Sequence, residues 1–406
     1  MVCGLLGRKL GHSYSPIIHK SLGDYEYCLF EKEPEELEDF LRNGEFTGLN
    51  VTVPYKKTVI DYCDELSETA KKIGAVNTIV RLSDGRLIGH NTDCFGFTFM
   101  LNKTGINLSD KKVLVLGSGG ASATAVSILK DYGAKPIVIS RNGENNYDNL
   151  QLHRDASIIV NTTPVGMNPN VDASPLDIST FSKLEGVLDV IYNPARTELL
   201  MQAEQQGLIT ENGLWMLVAQ AKESAEWFTQ TKINDNVIPV IHNQLKFATE
   251  NIILIGMPGS GKTTVGSKLA KILGKEFIDT DMEITKKIGC SIPEYFAQYG
   301  EHSFRDIESS VIKNTGALCG QVIATGGGCV SRQENFKHMR RNSTIIWLKR
   351  NVQDLPTDGR PLSQSTDLNE MYRVRKPLYE AFADYAVENN DPSETVNAII
   401  SILKGK

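Results

Sequence analysis

Three things are scarce in this sequence, and each scarcity narrows what the chain can be. The first is paired cysteine. The seven cysteines are scattered and odd in number, with no C-x-x-C spacing, which argues against a disulfide framework or a zinc site. The second is the long apolar run. No stretch is long enough to span a bilayer, and the opening residues Met1-Val2-Cys3-Gly4 have none of the layout of a signal peptide. The third is positive charge. The formal net charge is −6 and no basic run occurs, which points away from nucleic acid and toward small anions as ligands. The expected setting is a reducing cytoplasm, with no membrane and no nucleic-acid partner.

What is present is a chain too long for one ordinary core. At 406 residues it suggests two domains or three. With 41% hydrophobic and 23% charged residues it has the composition of a globular protein. Short apolar runs alternate with amphipathic segments, the pattern of an α/β protein with largely parallel sheets. Three strand–glycine-loop–helix units stand out. They are residues 3–6 followed by Gly7 to Pro16, residues 113–116 followed by Gly117-Ser118-Gly119-Gly120, and residues 252–255 followed by Gly256 to Thr263. Asn, Asp and Pro cluster within 228–250, so the main boundary is expected near 235–250, with 236–250 as a linker.

The second loop has the chemistry of a dinucleotide site. Phosphates need backbone N–H groups at a helix N-terminus, and glycine lets the chain come close. Gly117, Ser118, Gly119, Gly120 and Ala121 would form that cradle, although Ser122 stands where the usual fingerprint has its third glycine. Alone, the motif is equally compatible with a ligand-free turn. The following strand, 136–140, ends in Arg141, where an NAD enzyme would place an acid. A cation there suits a 2′-phosphate and favours NADP.

Polar motifs are dense before that loop. Ser13-Tyr14-Ser15-Pro16 puts two hydroxyls on one side of a segment read as extended. Residues 50–56, with Asn50, Thr52 and Lys56, read as a strand of alternating polar side chains. Gly74 to Thr78 contains Asn77, and Gly89-His90-Asn91-Thr92-Asp93 ends in a carboxylate. Each has a plain structural reading as cap, turn or surface charge. As a set, together with Asn161 to Met167, Asp189 to Pro194 and Gly213 to Gln220, they resemble the shikimate dehydrogenase family over residues 1 to about 235. That resemblance implies hydride transfer from NADPH to the ketone of 3-dehydroshikimate. Lys56 and Asp93 would be the catalytic pair, and Ser13 and Ser15 would hold the substrate carboxylate. Thr52, Asn77, Asp93, Tyr192 and Gln220 would surround the ring hydroxyls, with NADP(H) on Gly117 to Ala121, Arg141 at its 2′-phosphate and Gly213 near the nicotinamide. The run Ser140-Arg141-Asn142 departs from the family's Asn-Arg-Thr, so a quinate-type dehydrogenase using NAD stays open.

The third loop, Gly256 to Thr263, matches G-x-x-x-x-G-K-[ST] in full between an apolar strand and an amphipathic helix. Gly259, Ser260, Gly261, Lys262, Thr263 and Thr264 would cradle ATP, with Lys262 at the β- and γ-phosphates and Thr263 on Mg2+. Asp279 and Asp281 are read as two strand carboxylates on one side. With Arg305, the glycines at 326–328, Arg360-Pro361-Leu362 and Arg375, the set resembles shikimate kinase over about 251–406. The resemblance implies that Asp281, Arg305, Gly327 and Arg375 bind the acceptor and that Asp279 lies near Mg2+, directly or through water. It also implies that Arg360 sits on a lid, within the polar stretch 352–366, and stabilises the transferring phosphoryl group.

The expected architecture is therefore a substrate-binding α/β domain at 1–95 completed by a helix at about 213–235, a Rossmann NADP-binding domain at 96–212, the linker, and a P-loop α/β/α kinase domain at 251–406. The implied function is reduction of 3-dehydroshikimate followed by phosphorylation of shikimate, in a monomer or homodimer. A dehydrogenase fused to another small-metabolite kinase, or a non-catalytic sensor of such ligands, are the alternatives. The sensor predicts lost catalytic groups, and Lys56, Asp93, Lys262, Thr263 and Asp281 are all present.

Overall fold

The apolar runs become strands and the amphipathic segments helices in the computed structural model, which describes residues 1–11, 13–355 and 367–405. The chain divides into two compact units, Met1–Leu245 and Lys246–Lys406.

The first unit holds two sheets. Strands β1 (Val2–Gly7), β2 (Glu26–Glu31), β3 (Gly48–Val51), β4 (Glu65–Leu66), β5 (Thr78–Arg81) and β6 (Leu87–His90) are ordered β2-β1-β3-β5-β6-β4. β1 runs parallel to β2 and β3, whereas β5 is antiparallel to β3 and β6. Because β5 runs against β3, its first residue lies beside the end of β3, with Thr78 opposite Asn50. The turn after β3 and the turn before β5 therefore meet at one edge, where Val76 N–H donates to the Lys56 carbonyl at 2.7 Å.

Strands β7 (Lys112–Leu116), β8 (Lys135–Ile139), β9 (Ile158–Asn161), β10 (Gly186–Asp189) and β11 (Ile209–Glu211) form the second sheet, all parallel, ordered β11-β10-β9-β7-β8. A parallel sheet is covered on both faces, which is why β7 reads as an unbroken apolar run. Val113 and Val115 pack with Phe97, Met100 and Met216, while Leu114 and Leu116 pack with Ile178, Leu199 and Leu200 on the other face. The order reverses at β7, so a crevice opens past the strand ends between β7 and β9, the usual ligand position in such sheets. The helices Asp93–Thr104 and Leu214–Thr229 flank it.

The segment expected as a linker is a helix, Val237–Thr249. Its Ile238, Ile241 and Leu245 are buried against Ile18, Leu214 and Val218, an apolar stripe at helical spacing. Pro239 falls in the first turn, where no intrahelical N–H is needed.

In the second unit, β12 (Asn251–Ile255), β13 (Glu276–Asp279), β14 (Gln321–Ala324), β15 (Ser343–Lys349) and β16 (Tyr385–Glu388) form a parallel sheet ordered β13-β14-β12-β15-β16. Alternation along β12 sends Ile253 and Ile255 into one core with Trp347, Tyr379 and Phe382. Ile252 and Leu254 enter the opposite core with Val265, Leu269 and Ile399. The P-loop leaves β12, the central strand, and opens the helix Lys262–Leu273. Among the described residues, no helix is long and apolar enough to cross a membrane.

Candidate active sites

In the first unit the structure gathers one polar cluster around Asn77. Lys56 Nζ donates to Asp93 Oδ2 at 2.6 Å, and the Asp93 side chain is only 7% exposed. Asn77 Nδ2 donates to the other carboxylate oxygen at 2.9 Å. It also lies 3.0 Å from Thr92 Oγ1 and 3.4 Å from Gln220 Oε1. Its own Oδ1 accepts from Thr92 N–H at 2.7 Å. Lys56, Asn77, Asp93 and Gln220 are thus one hydrogen-bonded set, contributed by two turns and two helices. Both carboxylate oxygens are engaged by donors, which holds the lysine ammonium in one place.

The local backbone differs from expectation at two points. β3 ends at Val51, and residues 52–57 are a turn closed by Tyr55 N–H to the Thr52 carbonyl at 2.9 Å. Pro54 has no N–H for a strand ladder, so Lys56 rides on the turn. Ser15 is the first residue of a helix, Ser15–Lys20, and its N–H donates to Ser13 Oγ at 3.2 Å. Pro16 fixes a helical φ there, so the two serines are joined by a helix-entry turn in place of an extended segment. Thr52 is half-buried and Ser15 buried.

The glycine loop comes close to the cluster. A Cβ built on Gly120 would sit 3.5 Å from Lys56 Cδ. Gly120 opens a helix to Asp131 whose N-cap, Gly119, offers no side-chain cap. The first-turn N–H groups are therefore available to an anion, as a pyrophosphate requires. Arg141 is exposed just past β8, where it can meet a 2′-phosphate. Gly213 lies against the backbone of Val190, with an added Cβ only 3.0 Å from Val190 Cα. Only glycine fits there. Tyr192 is largely enclosed, its ring 5.3 Å from that of Tyr14, and burial pushes its hydroxyl pKa up.

In the second unit a cavity of about 440 Å³ is lined by the P-loop, Asp279, Asp281, Arg305, Gly327 and Arg375. Lys262 Nζ donates to the carbonyls of Gly256 and Met257 at 2.9 Å each. Thr263 Oγ1 donates to Asp279 Oδ2 at 2.7 Å. A hydroxyl and a carboxylate oxygen side by side under a phosphate loop are the donors Mg2+ takes. The two aspartates are not alternating strand residues. β13 ends at Asp279, which caps the helix Thr280–Ile288 by accepting the Asp281 N–H at 3.0 Å. Capping turns the chain, so Asp281 reaches the cavity from the first helical turn. Asp281 is exposed to solvent along the cavity, while protein atoms crowd its carboxyl from the cavity wall. This desolvation, with Asp279 nearby, pushes its carboxyl up to about 6, against the pull of Lys262 and Arg305.

Arg305 is held by Glu308 at 2.7 Å and Glu301 at 3.0 Å, and burial raises the Glu308 carboxyl despite the guanidinium. A Cβ on Gly326 would be 2.7 Å from Asp281 Oδ1 and 2.9 Å from Glu308 Oε1, so a bare backbone is needed between them. Arg375 sits within the helix Leu368–Phe382 and donates to the Gly327 carbonyl at 3.1 Å. Arg305 lies in the first turns of the second of two helical segments within Ile292–Gly316, which meet at a non-helical Gly300. Arg360 and most of the expected lid lie outside the described residues.

Sequence reasoning passed over several groups that the structure brings in. Thr92 bridges Asn77 and Gln220. Asp189, fully buried at the end of β10, accepts from Asn161 Nδ2, Thr197 Oγ1 and Ile191 N–H, and burial pushes it up to about 7. It ties together the turns after β9 and β10 beside the crevice. Glu308 and Arg350 border the second cavity. Arg350 had a signal of the kind that drew attention to Arg141, a cation just past a buried strand.

The sequence matches the family model of the shikimate dehydrogenase substrate binding domain over residues 5–79 and that of shikimate kinase over residues 258–404. It is 36% identical over 265 residues to a shikimate dehydrogenase (NADP(+)) of Clostridium perfringens, covering 60% of this chain and 97% of that protein. Among solved structures it is similar to shikimate dehydrogenase 1 from Peptoclostridium difficile, with TM-score 0.57 and 39% identity over 60% of this chain and 97% of the other. A chorismate mutase/shikimate 5-dehydrogenase fusion protein from Clostridium acetobutylicum is 38% identical with the same TM-score and the same coverage of both chains.

Proposed function

Because the chain belongs to the shikimate dehydrogenase family over its first 60% and carries a shikimate kinase domain at residues 258–404, we propose that it reduces 3-dehydroshikimate to shikimate with NADPH and then phosphorylates shikimate to shikimate 3-phosphate. It is an oxidoreductase and a phosphotransferase of the shikimate pathway; the two reactions and their direction are our reading.

In the first reaction NADPH supplies the hydride. Lys56 presents its ammonium to the ketone oxygen and neutralises or protonates the forming alkoxide. Asp93 keeps that ammonium charged and aimed, and Asn77 holds Asp93. Thr52, Gln220 and Tyr192 surround the ring, and the hydroxyls of Ser13 and Ser15 take the substrate carboxylate. Arg141 selects the phosphorylated ribose.

In the second reaction Mg-ATP supplies the phosphoryl group and Mg2+ offsets its charge. Lys262 moves from loop carbonyls to phosphate oxygens. Thr263 and Asp279 would hold the metal. Asp281, ionised above about pH 6, orients the attacking hydroxyl and accepts its proton. Arg305 and Arg375 clamp the acceptor carboxylate, and Gly327 lets the ring approach.

The observation that carries the reading is the composition of the second cavity. It joins a P-loop lysine to a raised carboxylate and two guanidinium groups, the set a carboxylated polyol needs, on a chain whose first 60% belongs to the shikimate dehydrogenase family. The test is product analysis of each half-reaction: NADPH oxidation dependent on 3-dehydroshikimate, and ADP formation dependent on shikimate. Turnover of quinate with NAD but not of these substrates would overturn it.

A further inference from the structure

Arg350 belongs to no motif used above, yet it borders the same cavity as Gly259, Gly261 and Lys262. Its position follows from the sheet. β12 and β15 run parallel with Ile255 opposite Trp347, so continuing that register three residues beyond this pair brings Arg350 level with Pro258 in the P-loop. The guanidinium Nη1 reaches the Gly259 carbonyl at 3.4 Å, a long contact that occupies one of its five donors.

Its surroundings resemble those of Arg375, which also lines the cavity and donates to a backbone carbonyl, and differ from those of four other arginines of this unit. Arg305, Arg332, Arg340 and Arg373 are each paired with a carboxylate; among the described residues no carboxylate pairs with Arg350. The loop itself has other supports, since Asn389 Nδ2 donates to the Ser260 carbonyl at 2.6 Å. Asp281 and Arg305 belong to the side of β13 and β14, whereas Arg350 approaches from the side of β15. A half-buried guanidinium with spare donors, beside loop N–H groups that await an anion, is in place to bind phosphate oxygens in forked geometry.

We propose that Arg350 is a nucleotide-binding residue that grips the phosphoanhydride chain from the β15 side, in addition to Lys262 and independently of the segment that carries Arg360. This rests on the kinase reading above. Arg350 acts on a nucleoside di- or triphosphate and leaves the carboxylated acceptor untouched.

The test is calorimetric titration of the full chain with ADP, ATP and adenosine in Mg2+, and with shikimate, for wild type, Arg350→Ala, Arg350→Gln and Arg350→Lys. Loss of a charge-assisted contact should weaken ADP and ATP binding by about tenfold to a hundredfold in the Ala and Gln variants alike. Lys, which keeps the charge but not the fork, should recover only part of the affinity, and adenosine and shikimate binding should not change. Melting without nucleotide should match wild type. If Gln, which can still donate to the Gly259 carbonyl, binds ADP as wild type does, Arg350 only buttresses the loop and the proposal fails. It fails equally if shikimate binding falls in step with ADP binding. Wild-type protein that binds no ADP would instead refute the kinase reading itself.

Discussion

Asp281→Asn should stabilise the ligand-free second unit while disabling its chemistry. The Asp281 carboxyl is pushed from 3.8 up to about 6, chiefly by desolvation. The folded state therefore holds its proton more tightly than the unfolded state, and stability is lost as pH rises from 3.8 to about 6. Above that the cost is constant. About two units at roughly 1.36 kcal/mol each set a ceiling of about 3 kcal/mol, and solvent access through the open cavity reduces this to about 1 kcal/mol. The amide removes that cost, so the melting transition that Mg-ADP shifts should rise by about 2–4 °C at pH 8. It should not move at pH 4, where the carboxylate is largely protonated in the folded state. Phosphotransfer should fall by at least about a hundredfold in the variant. In wild type, a group titrating near 6 is about nine-tenths ionised at pH 7 and just under one-tenth at pH 5, so kcat/KM for shikimate should drop roughly tenfold between them. Calorimetric melts and a coupled ADP assay measure both. A variant no more stable at pH 8, or a wild-type rate flat from pH 7 to 5, would refute the reasoning.

Other perturbations separate the parts. Lys56→Ala should cut NADPH oxidation by at least about a hundredfold and leave phosphotransfer unchanged, and Lys262→Ala should do the reverse; either one silencing both activities in folded protein would sink the two-site account. Arg141→Ala should raise KM for NADPH about tenfold with little change for NADH, which steady-state kinetics with both cofactors will show. Asp189→Ala strands three buried donors and should cost about 2–4 kcal/mol in a denaturant melt; a loss under about 0.5 kcal/mol would mean that the hub is dispensable.

How much of this was legible in the sequence depended on whether the geometry is local. The P-loop is a contiguous strand, loop and helix, so Lys262 and Thr263 could be assigned from eight consecutive residues. Lys56 and Asp93 are 37 positions apart and meet only because β5 runs antiparallel to β3. No spacing rule encodes that, and only the resemblance placed them together. Asp279 and Asp281 were rightly joined for a wrong reason, since a helix cap rather than strand alternation sets their positions. Ser13 and Ser15 were misread because the helix-starting role of Pro16 was overlooked. At 237–249 the Asn, Asp and Pro around the helix start read as a break, while Ile238, Ile241 and Leu245 mark a helical stripe. Asp189 carried little signal alone, because a buried hub exists only once distant strands are paired, whereas Arg350 is a cation just past an apolar strand whose place on the cavity wall follows only from the pairing of β12 and β15.

The central claim is that one ligand links the two units as product of the first and substrate of the second. The direct measurement is to supply the whole chain with 3-dehydroshikimate, NADPH and Mg-ATP and follow all products by mass. The account predicts shikimate 3-phosphate, with one NADPH and one ATP consumed for each molecule formed. Shikimate accumulating without phosphorylation, or ATP consumption that does not depend on shikimate, would contradict it.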